Sequence, residues 1–123
     1  MLAFRNRFHG HGSLKYVYTH GHAVRSHLIT LKHSRHPRRT MSRAAVVVSK
    51  KTYKRAVGRN RIRRRIYEII RKELPYLHEN CDLVFIVFAA EVLVVPHDEL
   101  VDNIRQLLKS AGAYKKQQKS DTI

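Results

Sequence analysis

The chain has 123 residues, of which 43% are hydrophobic, so it is long enough for one core and too short for two domains. Its 25 Lys and Arg against 9 Asp and Glu give a formal net charge of +16, which predicts a polyanionic partner such as nucleic acid. The apolar runs are too short to span a bilayer and no secretory segment follows Met1, so we expect a cytoplasmic protein with no membrane partner. A single cysteine, Cys81, allows neither an intramolecular disulfide nor a cysteine-based zinc site, and we expect it to be a small core residue.

The first twelve residues have no sustained hydrophobic period and contain two glycines, which predicts a flexible basic arm over residues 1–12. Ser13 can cap a short helix that runs to His20 and stops at Gly21. One face of that helix carries Leu14, Val17 and Tyr18.

Two stretches with strand character follow the first helix. Residues 22–33 alternate loosely and are rich in β-branched side chains, which predicts a strand interrupted near Arg25 and Ser26. Residues 34–40 contain a proline and several charges and predict a flexible basic loop, which either contacts RNA or stays solvated. The continuous apolar run at 43–49 predicts a central strand that is covered on both faces.

Residues 59–72 combine a helical period with dense positive charge. One side carries Ile62, Ile66, Ile69, Ile70 and Leu74, and the other carries Asn60, Arg61, Arg64, Glu68, Arg71 and Lys72. Seven of these fourteen residues are Arg or Lys, and only Glu68 opposes them. Because like charges one turn apart cost about 0.2–0.5 kcal/mol per pair, we infer that an external polyanion neutralises this face. The alternative is a solvated cationic face without a ligand.

Lys50 and Lys51 stand between the strand at 43–49 and this helix. The first turn of a helix presents free N–H groups and the positive end of the helix dipole. The end of the strand, the two lysines and the start of the helix therefore predict an anion-binding corner.

The last third of the chain predicts a strand and a helix. Pro75 ends the arginine-rich helix, and residues 76–81 form a loop. Residues 82–89 are apolar on both sides and predict a buried strand, so the arginine-rich helix becomes the crossover of a βαβ unit. A final helix begins at 96–98 and ends at Gly112, and residues 115–123, with Tyr114 just before them, predict a frayed tail. The apolar stripe of the final helix is Leu100, Val101, Ile104, Leu107 and Leu108.

Three short blocks follow one another along the chain: Val48-Ser49-Lys50-Lys51, Lys54-Arg55-Ala56-Val57 and Arg59-Asn60-Arg61-Ile62-Arg63-Arg64. Together they resemble the protein component of bacterial ribonuclease P. The resemblance extends over about residues 5–114. It implies an α+β fold, a two-layer sandwich of order α-β-β-β-α-β-α with a four-stranded sheet. It also implies a left-handed βαβ crossover, an exception to the usual hand.

The resemblance also implies a function and its residues. The protein would join ribonuclease P RNA, and the ribonucleoprotein would remove the 5′ leader of precursor tRNA. Mg²⁺ would be held mainly by the RNA, and no organic cofactor would be needed. The protein would have no metal site and no catalytic residue, and it would be monomeric without RNA. The implied contacts to the RNA subunit are Lys50, Lys51, Arg59, Asn60, Arg61, Arg63 and Arg64. The implied leader cleft, between the first helix and the sheet, contains Leu14, Val17, Tyr18, Lys32 and Tyr67.

Some cleft positions depart from the family pattern. Leu14 and Lys32 stand where the family usually has aromatic side chains, and Tyr67 stands where Arg is common. An aromatic–base stack contributes roughly 1–3 kcal/mol, so these departures weaken the expectation of leader stacking. Our hypothesis is that Lys32 substitutes a phosphate contact for a stack.

Two other classes of protein fit parts of the sequence. A basic ribosomal or RNA-chaperone protein fits the size and charge equally well. A nuclease or metal enzyme could use His9-Gly10-His11 and His20-Gly21-His22, but these motifs lack acidic or cysteine partners in the surrounding sequence. With only nine acidic residues, two-metal hydrolysis by the protein alone is disfavoured.

Overall fold

The computed structural model describes residues 2–9 and 11–115, which form three α-helices and one four-stranded sheet. The strands are β1 (His22–Arg25), β2 (Ile29–Arg35), β3 (Arg43–Val48) and β4 (Cys81–Val87), in the spatial order β1-β2-β4-β3. The helices are α1 (His11–His20), α2 (Ala56–Glu73) and α3 (His97–Ser110). β1 pairs antiparallel with β2 and β2 with β4, whereas β3 and β4 are parallel and joined through α2. This is the α-β-β-β-α-β-α order that the resemblance implied.

One face of the sheet carries the hydrophobic core. Val24, Leu31, Phe85 and Val46 form a cross-strand row on this face. Against it pack Ile62, Ile66, Ile69 and Ile70 of α2 and Leu100, Ile104, Leu107 and Leu108 of α3. These are the apolar faces that the helical period predicted for α2 and α3, and they fix which side of α2 is left for solvent.

Among the described residues, α1 is the helix that covers the opposite face of the sheet. Val17 of α1 and Val84 of β4 are fully buried, yet both lie outside the core cluster that α2 and α3 form with the sheet. Lys32 of β2 donates a hydrogen bond to the Tyr18 carbonyl at 2.7 Å, which places α1 on this face. The neighbouring row, Thr30, Ile86 and Val47, stays half-buried beside the helix. A partly accessible strip of the sheet, the cleft, therefore runs beside α1.

The prediction of a central strand at 43–49 was wrong, because β3 lies at the edge of the sheet. Its burial alternates: Ala44, Val46 and Val48 are buried, whereas Ala45 and Val47 are half-buried on the cleft face. A run of Ala and Val looks continuous in sequence because small apolar side chains are tolerated on both faces. The long-range pairing that puts β4 between β2 and β3 leaves no local signal.

The described part of the predicted N-terminal arm is docked, not free. Leu2 is 2% exposed and belongs to the core, and Asn6 donates a hydrogen bond from Nδ2 to the Ser42 carbonyl at 2.9 Å. Arg7 forms an isolated parallel bridge with Ala44 at the edge of β3. A segment this short has no hydrophobic period from which docking could be predicted. Met1 and Gly10 lie outside the described residues.

Several element ends also differ from the prediction. α1 begins at His11, so Ser13 lies inside its first turn and is not its cap. α2 begins three residues earlier than predicted, at Ala56, and β2 continues to Arg35. The interruption after Arg25 and the end of α3 near Gly112, which has φ +69°, are confirmed.

The C-terminal segment is held as far as Lys115. Its N–H donates to the Tyr76 carbonyl at 2.9 Å, and Tyr114 pairs with Leu77 in an antiparallel bridge. The prediction therefore placed the start of the frayed tail too early, at residue 115. Residues 116–123 lie outside the described part of the chain. No helix within residues 2–9 and 11–115 has the length and apolar character needed to cross a membrane.

Candidate RNA-binding surfaces

The loop of residues 49–55 closes over the ends of two parallel strands. The N–H groups of Thr52 and Tyr53 donate to the Ser49 carbonyl, both at 3.1 Å. Thr52 Oγ1 donates to the carbonyl of Val87, the last residue of β4, at 3.1 Å. Lys50 and Lys51 are exposed in this loop and have no side-chain partner among the described residues. The loop thus fixes the backbone beside two free ammonium groups.

Gly58 allows the loop to pack against the first turn of α2. A Cβ atom at this position would lie 2.0 Å from Cε2 of Tyr53, far inside van der Waals contact. Arg59 adds two hydrogen bonds from Nη1, to the carbonyls of Tyr53 at 3.0 Å and Lys54 at 2.6 Å. Arg59, an expected RNA contact, therefore also holds the loop in place. This role could not be predicted from the sequence, because hydrogen bonds to backbone carbonyls leave no pattern in it.

The remaining arginines of α2 divide into free and bound side chains. Arg61 and Arg64 are exposed and form no hydrogen bond or ion pair with any described residue. Arg63 donates to the side-chain oxygen of Asn60. Arg65 instead donates to the carbonyls of Val92 and Val95, each at 2.6 Å, and anchors the segment between β4 and α3. Two uncompensated guanidinium groups thus remain beside the lysine loop.

The structure brings four of the five expected cleft residues together. Leu14 is half-buried, Val17 is buried, and Tyr18 is 37% exposed. Besides its bond to the Tyr18 carbonyl, the ammonium nitrogen of Lys32 lies 5.7 Å from the centroid of the Tyr18 ring. A cation and an aromatic ring therefore stand side by side at the edge of the cleft.

Tyr67 does not reach this cleft. It lies on α2, which packs on the opposite face of the sheet, and its hydroxyl accepts a hydrogen bond from the Val46 N–H of the edge strand at 3.0 Å. Its expected place among the leader contacts is corrected accordingly. The hydroxyl satisfies a backbone donor that the edge strand would otherwise leave open.

A further cation–aromatic pair extends the cleft and was not predicted from the sequence. The guanidinium carbon of Arg25, at the end of β1, lies 5.0 Å from the ring centroid of Phe88. Phe88 directly follows β4, and its N–H donates to the Leu28 carbonyl at 3.2 Å. The two residues are 63 positions apart in sequence, so only the strand pairing brings them together.

The far end of α2 is organised by carboxylates. Arg71 pairs with Glu68, which raises the pKa of Arg71 and lowers that of Glu68. Buried Glu73 accepts hydrogen bonds from Arg105 Nε at 3.0 Å and from the Tyr114 hydroxyl at 2.7 Å. Burial, followed by the bond to Glu73, raises the pKa of Tyr114 well above its ordinary value. Here Arg71 and Arg105 each pair with a carboxylate of the protein, whereas Lys72 is exposed and forms no ion pair with a described residue.

Two of the residues considered for metal or thiol chemistry, His20 and Cys81, have structural surroundings, and the side chain of His11 lies outside the described part of the structure. Across the described residues, no three or more His, Cys, Asp and Glu side chains lie where they could hold a metal ion. The His20 ring instead stacks on Tyr16, with centroids 4.4 Å apart. Cys81 is buried in β4, as expected of a core residue, and burial raises the pKa of its thiol.

Comparison with known proteins places these surfaces in a family. The family model described as Ribonuclease P matches residues 2–112. The ribonuclease P protein component of Pseudanabaena sp. is 33% identical over 112 residues, which cover 90% of this chain and 95% of that protein. The counterpart from Chloroflexus aurantiacus is 42% identical over 74 residues, which cover 60% of this chain but only 54% of the relative.

Solved structures show the same fold at low sequence identity. The RNase P protein of Staphylococcus aureus superposes with a TM-score of 0.78 at 21% identity, covering 89% of this chain and 98% of the other. The RNase P protein of Thermotoga maritima gives 0.70 at 21% identity, covering 79% and 89%. Since the family model spans nearly the whole chain, this protein belongs to the ribonuclease P protein family.

Proposed function

We propose that this chain is the protein subunit of ribonuclease P, a ribonucleoprotein endoribonuclease that removes the 5′ leader from precursor tRNA. The observation that carries the proposal is a set of four cations, in the first half of α2 and the loop before it, that have no counterion among the described residues: Lys50, Lys51, Arg61 and Arg64. Guanidinium groups match phosphate oxygens, and such contacts give affinity without requiring a particular sequence. This surface would bind the RNA subunit.

The cleft between α1 and the sheet would take the leader. Its floor is the half-buried row of Thr30, Ile86 and Val47, and its rim carries Lys32 beside Tyr18. An extended strand of RNA could lie on this floor with a base against Tyr18 and a phosphate near Lys32. The cleft and the arginine surface would then contact different RNAs.

The protein supplies positioning and electrostatics in this proposal, and the RNA holds the magnesium ions. Mg²⁺ prefers oxygen ligands, chiefly carboxylates and phosphates. The carboxylates of Glu68, Glu73 and Asp82 are already bound to arginines, and the exposed RNA-facing surfaces are cationic. These residues do not suit a magnesium site, so no catalytic step is assigned to the protein. We expect a cytoplasmic protein that is monomeric until it meets RNA.

The decisive experiment is cleavage of a 5′-labelled precursor tRNA at low magnesium. The reactions contain a bacterial ribonuclease P RNA alone, this protein alone, or both together. We expect cleavage at the mature 5′ end only in the mixture, because the cations of the protein would replace part of the magnesium that the RNA needs. No stimulation would favour a ribosomal or RNA-chaperone role, and cleavage by the protein alone would indicate a nuclease.

The cleft can be tested with the reconstituted enzyme and matched precursor tRNAs with and without a leader. Lys32→Ala should weaken binding of the leader-bearing precursor by about tenfold and leave the leaderless one unchanged, since only the former would reach the cleft. The control is Lys109→Ala, which removes the same exposed charge from α3. Equal loss for both precursors, or no loss for either, would remove Lys32 from the leader site.

A further inference from the structure

Helix α1 has two flanks, and the leader cleft uses only one of them. At 100° per residue, Leu14 and Tyr18 lie on one side of buried Val17, whereas Ser13, Tyr16 and His20 lie on the other. The second flank borders a separate groove of about 550 Å³. The opposite wall of this groove is the end of β2 and the loop that follows it, residues 34–39.

The groove is cationic. Arg35 and Arg39 line one wall, with His36 between them in the chain, and His20 and His22 line the other. The carboxylate on its lining belongs to Asp82, which accepts two hydrogen bonds from Arg43, at 3.0 and 2.9 Å. Both side chains of this pair are largely buried, so the negative charge is already neutralised within the protein. What faces the groove is the positive charge of the arginines together with imidazole rings.

An exposed aromatic surface stands beside these cations. Tyr16 is 57% exposed, and its ring stacks on His20 with an interplanar angle of 23°. Core packing does not account for Tyr16, because Val17 supplies the buried contact of α1 with the sheet. A flat ring pair next to arginines is the combination that binds a nucleotide, with the base on the rings and the phosphate on the cations.

We propose that this groove is a second site for single-stranded RNA, separated from the leader cleft by the width of α1. A base would stack on Tyr16, and the adjoining phosphates would contact Arg35 and Arg39. For the source of the strand, the inference rests on the proposed function: it would be either the distal part of a long leader that passes over α1, or an unpaired segment of the RNA subunit.

Binding of a fluorescent single-stranded RNA oligonucleotide to the protein alone tests the site itself. Tyr16→Ala should weaken binding by about tenfold and Arg39→Ala by several-fold, as expected for one stacked base and one phosphate contact. The controls are Tyr76→Ala, which removes an equally exposed ring (58%), and Arg38→Ala, which removes a neighbouring exposed charge that does not line the groove. All four positions are at least partly exposed, and thermal melting checks that each variant folds.

Two further measurements distinguish the sources. If the Tyr16→Ala holoenzyme loses affinity only for precursors with long leaders, the strand is the leader. If the Tyr16→Ala protein loses affinity for the isolated RNA subunit, the strand belongs to that RNA. Losses no greater than those of Tyr76→Ala and Arg38→Ala in all three assays would overturn the second site. A failure of the proposed function would show itself differently, as a wild-type protein that binds the oligonucleotide but does not stimulate cleavage.

Discussion

The two ends of α2 use arginine in opposite ways. Near its start, Arg61 and Arg64 have no counterion among the described residues, beside the lysines of the loop at 49–55. Near its end, Arg71 pairs with Glu68, and Arg105 of α3 pairs with Glu73. Unpaired like charges destabilise the free protein until a polyanion arrives, whereas paired charges fix structure whether or not RNA is present. One helix therefore carries the proposed binding surface at its start and a structural joint at its end.

The largest expected effect is on RNA affinity at the start of the helix. Arg61→Ala/Arg64→Ala should weaken binding to the RNA subunit by about a hundredfold, because two charge-assisted phosphate contacts are lost. The slope of log affinity against log salt should also become shallower by about two. The matched control is Arg71→Ala, at the other end of α2, which should change both quantities much less. Equal effects from both variants would abolish the distinction between the two ends.

Gly58→Ala tests whether close packing of Tyr53 on α2 holds the loop at 49–55 in place. The added methyl group overlaps the Tyr53 ring, so we expect a loss of about 2 kcal/mol in the free energy of unfolding, measured by urea denaturation. The shifted loop should weaken RNA binding as well, although no charge is removed. A smaller residue at 53, in Gly58→Ala/Tyr53→Leu, should restore part of both losses. Without such recovery, overlap with the Tyr53 ring would not be the cause of the lost stability and RNA affinity.

Glu73→Ala tests the structural end. It leaves the Tyr114 hydroxyl without its acceptor and should cost about 1.5 kcal/mol of unfolding free energy, with RNA affinity unchanged. Glu68→Ala removes a carboxylate from an exposed pair and serves as the control, with no measurable loss of stability expected. A clear loss of RNA affinity in the Glu73 variant would show that the two ends are coupled.

The smallest expected effect is an alkaline loss of stability through Tyr114. Its pKa is raised in the folded state, so folding favours the protonated phenol. The resulting contribution to stability is complete below the ordinary tyrosine pKa of about 10 and declines as the pH rises above it. Chemical denaturation between pH 9 and 11 should show a steeper decline for wild type than for Tyr114→Phe. Identical slopes would exclude this contribution.

Local periodicity predicted the parts of the molecule that depend on neighbours along the chain. Ile62, Ile66, Ile69 and Ile70 repeat at the helical period and are buried as expected, and the break after Arg25 separates two strands. The roles of Arg59 and Arg65 were not predictable, because their partners are backbone carbonyls. The same holds for Tyr67, whose partner is a backbone N–H on a distant strand.

Long-range order accounts for the other differences. The edge position of β3 follows from the insertion of β4, 38 residues after β3 begins, between β2 and β3. The pairing of Arg25 with Phe88, and the separation of the two flanks of α1 into different grooves, follow from the same topology. The left-handed crossover was an implication of the family resemblance alone, since residue spacing carries no information about its hand.

The covered edge of β3 bears on the behaviour of the protein before it meets RNA. An open strand edge invites pairing with a second chain and is a common origin of aggregation. Here the Tyr67 hydroxyl accepts a hydrogen bond from the Val46 N–H, and Arg7 of the N-terminal segment forms a parallel β-bridge with Ala44. Residues near the start of the chain thus cover part of the strand edge at which a second chain could otherwise pair.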